Sequence, residues 1–361
     1  MISAHKSKPI GIISLVLLIQ VMLSGCGAQT SSAGEEAESP KDKITVHIGV
    51  QGSTGVLPYA REKKSFEKAF EKAGAEVKWH EFASGPPHFE ALASGRLDLG
   101  ATGGTPLIAG QSGGVDFKAI AVTTDGKKGN SIVVPKGSTI KDLKDLKGKK
   151  LAVAKGSSAY NFLYMALERA GLTDEDIKIV QLQPDEARPA LDNGSIDAWS
   201  TWEPYVTTAV FQTGAEVLVS GEDLNIYAPG FLIARTKFTE ENPELTVLFL
   251  KTYEEVRKHF VENIDEVSKE IADSEHVEVD IIKTVLTNTT AILSPTTDEF
   301  KKAHQEQADF LYEAGGITKE IDTSNVIENR FVEQALKRIT NENYSGRLKE
   351  DAYFSILSFF D

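Results

Sequence analysis

The sequence predicts an α/β protein with mainly parallel sheets. Short apolar runs alternate with amphipathic segments from residue 44 to about residue 238. This alternation is typical of βαβ units, in which helices connect parallel strands. Beyond residue 238 only helical patterns follow. The chain has 361 residues, enough to bury two substantial cores.

Each predicted element rests on its own pattern of apolar residues. The strand candidates, in chain order, are ITVHIGV (44–50), AEVKWHEF (75–82), LDLGA (97–101), FKAIAVTT (117–124), SIVVP (131–135), KKLAVA (149–154) and IKIVQL (177–182). The helix candidates between them are SFEKAFEKAG (65–74), PHFEALASG (87–95), TPLIAGQSGG (105–114), NFLYMALERAG (161–171) and EARPALDNG (186–194). All five helix candidates end at glycine, the residue that most often terminates a helix.

The late part of the chain predicts helices only. They cover residues 240–273, 279–287, 298–314 and 330–339. A series of helices after α/β units suggests that the chain returns to cover its first domain.

The first 26 residues match a lipoprotein signal peptide. Lys6 and Lys8 precede an apolar run, and the string LSGC then ends at Cys26, the single cysteine of the chain. The run of about 14 residues is too short for a comfortable membrane span. We therefore expect removal of residues 1–25 and lipidation of Cys26, with the folded part at the extracytoplasmic face of the cell membrane. The alternative is an anchor helix with an incidental cysteine.

Residues 26–43 separate this signal from the first strand. They contain no large apolar side chain, so they cannot bury enough surface to fold. We expect a flexible tether.

Composition and motifs exclude several function classes. The chain carries 39 Lys and Arg against 53 Asp and Glu, a net charge of −14, whereas nucleic-acid binding usually needs a basic face. No G-x-S-x-G elbow follows a strand and no P-loop or H-E-x-x-H string occurs, so we expect neither catalytic residues nor a cofactor. His80 and His88 flank one loop and could meet a metal, but two solvated histidines fit better because no Cys or His cluster supports a site.

Three junctions between a strand and a helix predict an anion site. They hold the candidate residues Gln51, Gly52 and Ser53, then Thr102, Gly103 and Thr105, then Ser157 and Ser158. Small residues at a helix start expose backbone N–H groups that bind oxyanions without a cation. The carboxyl ends of strands, where these junctions lie, are where α/β sheets bind ligands. The alternative is that Thr105 and the serines are ordinary N-caps.

An aromatic segment, DAWSTWEPY (197–205), could supply an apolar surface beside this site. We expect Trp199 in a core and Trp202 in a cleft. Glu203 either holds an amine of the ligand or faces the lobe interior and braces the loop.

The strings that carry these residues resemble solute-binding proteins of aliphatic-sulfonate, taurine and nitrate ABC importers. They are FASGPPHFEALASGRLDLGATGGTP (82–106), SIVVPKGSTIKDLKDLKGKKLAVAKGSSAYNFLYMALERAGL (131–172) and QPDEARPALDNGSIDAWSTWEPY (183–205). The likeness is closest to aliphatic-sulfonate-binding proteins, where Asp commonly stands at the position of Glu203. It therefore favours the bracing arrangement for Glu203.

The resemblance implies a type II periplasmic-binding-protein fold, with two lobes, two crossing strands and the ligand in the cleft between them. Lobe 1 would comprise residues 44–123 and 228–339, with the helical C-terminal part packed on it. Lobe 2 would comprise residues 124–227. Residues 340–361 match nothing in the family and have an unknown role.

The main functional hypothesis is a membrane-tethered binding protein that captures an aliphatic sulfonate. Its partners would be an ABC permease with a cytoplasmic ATPase, and it would act as a monomer. A taurine, nitrate or thiamine-pyrimidine ligand is the alternative within this class. A pyrimidine-synthesis-like enzyme and a surface sensor or scaffold are alternatives from other classes.

Cys26→Ser tests the lipoprotein signal. Two acyl chains anchor a protein stably at ~0.8 kcal/mol per buried CH₂, so we expect the variant to leave the membrane fraction or to stay unprocessed. Membrane fractionation and the mass of the N-terminal peptide are the measurements. Unchanged fractionation with an unchanged peptide mass would contradict lipidation.

Overall fold

The computed structural model describes residues 43–341. The signal peptide, Cys26, nearly all of the tether and residues 342–361 of the C-terminal extension lie outside the described residues. Within the described part, no helix is both long and apolar enough to cross a membrane.

Ten strands form in the described chain. They are β1 (Ile44–Gln51), β2 (Ala75–Phe82), β3 (Leu99–Gly103), β4 (Phe117–Thr124), β5 (Asn130–Val134), β6 (Lys150–Val153), β7 (Lys178–Gln181), β8 (Ala198–Trp202), β9 (Glu216–Ser220) and β10 (Gly230–Arg235).

Helices connect these strands and follow the last one. They are α1 (Val56–Glu62), α2 (Ser65–Lys72), α3 (Gly85–Ala93), α4 (Gly104–Ser112), α5 (Ser158–Ala170), α6 (Pro184–Asp192), α7 (Tyr205–Thr213), α8 (Gly221–Leu224), α9 (Thr236–Glu241), α10 (Pro243–Glu262), α11 (Ile264–Glu275), α12 (Val279–Asn288) and α13 (Asp298–Glu313). The chain is helical again over residues 330–341, the terminal helical segment.

The strands build two sheets, one in each of two lobes. The sheet of lobe 1 has the order β2-β1-β3-β10-β4, and the sheet of lobe 2 has the order β7-β6-β8-β5-β9. In lobe 1, β10 runs antiparallel to both of its neighbours. In lobe 2, β5 does the same. The other four strands of each sheet share one direction, as the α/β prediction requires.

The exceptions arise where the chain changes lobes. It passes from β4 to β5 and returns from β9 and α8 to β10. Both β5 and β10 therefore enter their sheets from the side of the other lobe, where the remaining strands end. The carboxyl ends of those strands consequently face the cleft between the lobes, which is where α/β sheets bind ligands.

The two crossings contact each other directly. The Ala228 N–H donates to the Asp125 carbonyl oxygen at 3.2 Å. Gly126 has φ +67°, and a Cβ there would lie 1.8 Å from the Ala228 oxygen. Only glycine fits this close approach of two backbones.

The late helices cover the sheet of lobe 1, as expected. Phe66 and Phe249, whose ring centres are 5.1 Å apart, belong to the main core of this lobe together with Phe331 of the terminal helical segment. A second core on the opposite face contains Phe89 and Phe117. The core of lobe 2 includes Trp199, which is 1 % exposed and lies where the sequence places it.

The predicted helix at residues 240–273 is wrong as a single element. Three helices replace it, because α9 ends before Asn242 and α11 begins after Asn263. Pro243 starts α10, because proline has no N–H to donate and is tolerated best in the first turn of a helix. The apolar period of the segment continues across both breaks and therefore does not reveal them.

Phe331→Ala tests how firmly the terminal helical segment is packed. Phe331 is 2 % exposed within the main core of lobe 1, so we expect a loss of about 3–5 kcal/mol in unfolding free energy. Tyr312→Ala is the matched control, because Tyr312 is 43 % exposed and its removal should change stability by about 0.5 kcal/mol or less. Urea denaturation measures both, and equal effects would contradict the packing.

Candidate ligand-binding cleft

A cavity of about 270 Å³ lies between the two lobes. Small and polar residues of both sheets and of both crossings form its wall. They are Gln51, Gly85, Ala101, Thr102, Gly103, Pro106, Thr123, Thr124, Gly126, Gly129, Asn130, Ser157, Ser158, Trp202, Glu203, Ala228, Gly230 and Thr289.

Seven of the ten ligand-site candidates from the sequence lie on this wall. They are Gln51, Thr102, Gly103, Ser157, Ser158, Trp202 and Glu203. The structure does not bring Gly52, Ser53 and Thr105 to the wall. Gly52 and Ser53 lie in the bend after β1, and Thr105 is 3 % exposed at the start of α4.

The start of α5 is the junction best suited to an anion. The Ser157 hydroxyl accepts from the Tyr160 N–H at 3.2 Å and donates to the Ala154 carbonyl at 2.7 Å. Ser157 is therefore an ordinary N-cap, the alternative considered from the sequence. Among the described residues, the backbone N–H groups of Ser158 and Ala159 have no hydrogen-bond acceptor. Free N–H groups and the helix dipole both favour negative charge at this point.

Asn130 joins this junction although the sequence did not single it out. It is the first residue of β5 and is 3 % exposed. The Ser158 hydroxyl donates to its Oδ1 at 3.0 Å. The Nδ2 of Asn130 is thereby left to donate towards a ligand. The only sequence signal was a polar residue directly after the crossing.

The start of α4 offers fewer donors than predicted. The Gly104 N–H already donates to the Pro229 carbonyl at 2.8 Å, and Pro106 has no N–H. Gly103 instead marks where the lobes approach, because a Cβ on it would lie 3.4 Å from the Cβ of Ser158.

Gln51 uses both protons of its amide inside lobe 1. Its Nε2 donates to the Ala101 carbonyl at 3.0 Å and lies 3.2 Å from His88 Nδ1. The Oε1 atom receives no hydrogen bond from any residue in the described range 43–341.

Trp202 is the aromatic residue of the wall. Its ring meets Tyr205 edge to face, with the ring centres 5.5 Å apart. A flat apolar surface of this kind suits the carbon part of a ligand.

Glu203 is the only acid on the wall, and its carboxylate is fully engaged. Oε1 accepts from the Thr207 hydroxyl and from Asn288 Nδ2, both at 2.8 Å, and Oε2 accepts from the Thr207 N–H at 3.1 Å. Asn288 ends α12 of lobe 1, so this group of contacts connects the two lobes. Burial raises the pKa of Glu203 above its ordinary 4.5, although the hydrogen bonds from Asn288 and Thr207 act against the rise.

No Lys, Arg or His of the described chain lines this cavity. An anion would therefore be held by backbone N–H groups, amides and hydroxyls. Such neutral donors act more strongly where bulk water is excluded, because screening is weak there.

The histidines of residues 43–341 form no metal site. His80 Nε2 lies 2.8 Å from His47 Nδ1, whereas His88 contacts Gln51. The expectation that His88 is solvated is wrong, because it is fully buried beside Gly49 and Gly100. Among residues 43–341, no three His, Cys, Asp or Glu side chains are placed to hold an ion.

A family model described as the NMT1-like family matches residues 39–273. The chain belongs to this family. A Bacillus subtilis (strain 168) relative that bears the name of an aliphatic sulfonates-binding protein is 46% identical over 327 residues, which cover 91% of this chain and 97% of the relative.

Solved structures place this NMT1-like chain among two-lobe binding proteins. The alkanesulfonate-binding protein SsuA from Xanthomonas axonopodis pv. citri, bound to MOPS, has a TM-score of 0.75 and 27% identity, over 80% of this chain and 99% of that one. The periplasmic aliphatic sulphonate binding protein SsuA from Escherichia coli has a TM-score of 0.70 and 32% identity, over 80% and 93%. The predicted two-lobe fold is confirmed.

The unfolding free energy should depend on pH through the buried carboxyl of Glu203. Its folded pKa is higher than its unfolded pKa, so the folded state holds the proton more tightly between these values. Stability must then fall as the pH rises from about 4.5 towards the folded pKa, and the full cost of the buried charge persists above it.

We therefore expect the unfolding free energy of the wild type to fall relative to that of Glu203→Gln between pH 4 and pH 7. Urea denaturation across this range is the measurement. Glu320→Gln, at an exposed carboxyl, is the control and should show no such trend. A constant difference between wild type and Glu203→Gln would contradict the assignment.

Proposed function

We propose that this protein is the solute-binding component of an ABC importer and captures an aliphatic sulfonate. The observation that carries the proposal is the interlobe cavity, whose wall combines free helix N–H groups, amides and hydroxyls with one apolar ring and no cation. The names of the relatives, taken together with this chemistry, point to a sulfonate.

In this proposal the sulfonate lies at the start of α5. The N–H groups of Ser158 and Ala159 and the amide of Asn130 donate to its oxygens. A hydrogen bond to a charged group contributes about 1.5–3 kcal/mol, and the helix dipole adds up to about 2 kcal/mol where partly buried. Trp202 packs on the carbon substituent.

The two crossings act as the hinge on which the lobes open and close. Hinge closure around a ligand is a common motion of two-lobe binding proteins. The closed protein then delivers its ligand to the permease, whose cytoplasmic ATPase drives transport. The protein works outside the cytoplasm as a monomer, held at the membrane by the lipid on Cys26.

The engagement of Glu203 favours plain alkanesulfonates over taurine. All three of its contacts are donors from Thr207 and Asn288, and an ammonium group would have to displace them to pair with the carboxylate. This supports the bracing role for Glu203. A nitrate or a thiamine pyrimidine fits less well, because nitrate leaves the Trp202 surface unused and a pyrimidine lacks the anionic group.

The absence of Lys and His from the described cavity wall supports a binding protein over a pyrimidine-synthesis-like enzyme, which needs both side chains. Residues 340–361 could serve a scaffold role in addition to transport. Deletion of residues 342–361 with unchanged ligand binding and unchanged uptake would restrict that segment to such a separate role.

Calorimetric titration of the purified protein with ethanesulfonate, taurine and nitrate tests the function. We expect ethanesulfonate to bind at least as tightly as taurine, and nitrate to bind more weakly than either. Glu203→Gln should leave the order of the two sulfonates unchanged, because the carboxylate does not pair with the ligand. Taurine bound at least tenfold tighter, about 1.4 kcal/mol, with that preference lost in Glu203→Gln, would contradict the bracing role.

A further inference from the structure

Gln51 presents a fixed hydrogen-bond acceptor to the cleft. Its two amide protons are directed at the Ala101 carbonyl, 3.0 Å away, and at His88 Nδ1, 3.2 Å away. The carbonyl of Ala101 can only accept, so a flipped amide would place two oxygens against each other. The Oε1 atom is therefore the polar atom that Gln51 has left for a ligand.

We propose that His88 is a positioning residue that fixes this oxygen, and that the cleft selects sulfonates whose substituent carries a neutral O–H donor. This inference rests on the proposed sulfonate function and names the ligand class within it. The hydroxyl of such a ligand would donate to Gln51 Oε1 while its sulfonate binds the start of α5, since both groups border one cavity.

The His88 ring is held in place by Phe82 and by two strands. It stacks on Phe82 with ring centres 4.9 Å apart and an interplanar angle of 18°. It also lies against the backbones of β1 and β3, where a Cβ on Gly49 or Gly100 would come within 2.5 Å of His88 Nε2. The ring cannot move far, so the Nδ1 lone pair stays directed at Gln51.

His88 remains an acceptor at the pH of any ordinary environment. Burial lowers its pKa from 6.5 to about 3, so the ring is neutral. Because Gln51 donates to Nδ1, the proton is on Nε2. An imidazolium would donate from both nitrogens and would turn the amide of Gln51 around.

A hydroxyl suits this acceptor better than an alkyl group or an ammonium. An alkyl group would cover Oε1 without replacing its bond to water, which leaves a buried polar atom unpaired. An ammonium would need a nearby anion, and the single carboxylate of the wall, Glu203, already accepts from Thr207 and Asn288. A neutral donor satisfies Oε1 without a buried charge.

The experiment compares 2-hydroxyethanesulfonate with ethanesulfonate by calorimetry. We expect wild type to bind the hydroxylated ligand at least fivefold more tightly. Gln51→Met, which removes the acceptor, should reduce this ratio to within twofold. His88→Leu should do the same, because the freed amide of Gln51 no longer holds its oxygen in place.

Two further variants separate positioning from general damage. His88→Asn keeps an acceptor where Nδ1 lies and should restore the ratio. His304→Leu removes another fully buried neutral histidine of lobe 1 that does not contact Gln51, and it should preserve the ratio. Thermal melting checks that each variant folds. If His88→Leu does not fold, the ratio of the two affinities in wild type and in Gln51→Met tests the inference.

The outcomes for function and inference are distinct. A wild-type ratio within twofold, or a ratio unchanged in Gln51→Met, would overturn the inference while sulfonate capture stands. Failure of every sulfonate to bind wild type would overturn the proposed function and the inference together.

Discussion

The close contact between the two crossings sets the geometry of the whole molecule. The chain passes between its sheets twice, and Gly126 approaches the Ala228 oxygen so closely that no side chain fits between them. Because both crossings enter from the same side, β5 and β10 run against the other strands of their sheets. The remaining strands then end at the cleft, and the helices that follow them begin there. The position of the cleft is thus a consequence of the connectivity.

This arrangement allows an acidic protein to hold an anion without a cation. The net charge of the chain is −14, and the described cavity wall carries one acid, Glu203, and no base. A bare carboxylate there would repel a sulfonate at close range. Three hydrogen bonds from Thr207 and Asn288 stabilise this charge, whereas burial raises the pKa of Glu203 and so favours the neutral form, which does not repel an anion. In the proposed function, the donors at the start of α5 supply most of the attraction.

The sequence predicted what local pattern encodes. Alternating apolar periods revealed seven of the ten described strands and most helices, and the motifs that follow strands revealed seven of the eighteen wall residues. The strands β8, β9 and β10 were missed. Contacts between segments that are distant in the sequence could not be predicted. The Pro229 carbonyl accepts the N–H of Gly104 at the start of α4. Asn288 donates to Glu203, which lies 85 residues away in the sequence. His88 is buried because Gly49 and Gly100 leave space for its ring. No local pattern distinguishes these residues from solvated or structural ones, and Asn130 was missed for the same reason.

The contacts that join the lobes also determine how closure responds to a ligand. In the described part of the cleft, Glu203 and Asn288 share one hydrogen bond across the lobes, and Gly103 lies against Ser158. A typical hydrogen bond contributes about 0.5–1.5 kcal/mol net, so this single bond makes a small contribution to closure. A ligand that binds both walls adds interactions only in the closed state, and it shifts the population by its difference in affinity for the two states. Gln51 belongs to lobe 1, and the start of α5 belongs to lobe 2. In the proposed binding mode, a ligand that satisfies both at once favours closure more than one that satisfies α5 alone, so the groups proposed to set selectivity also set closure.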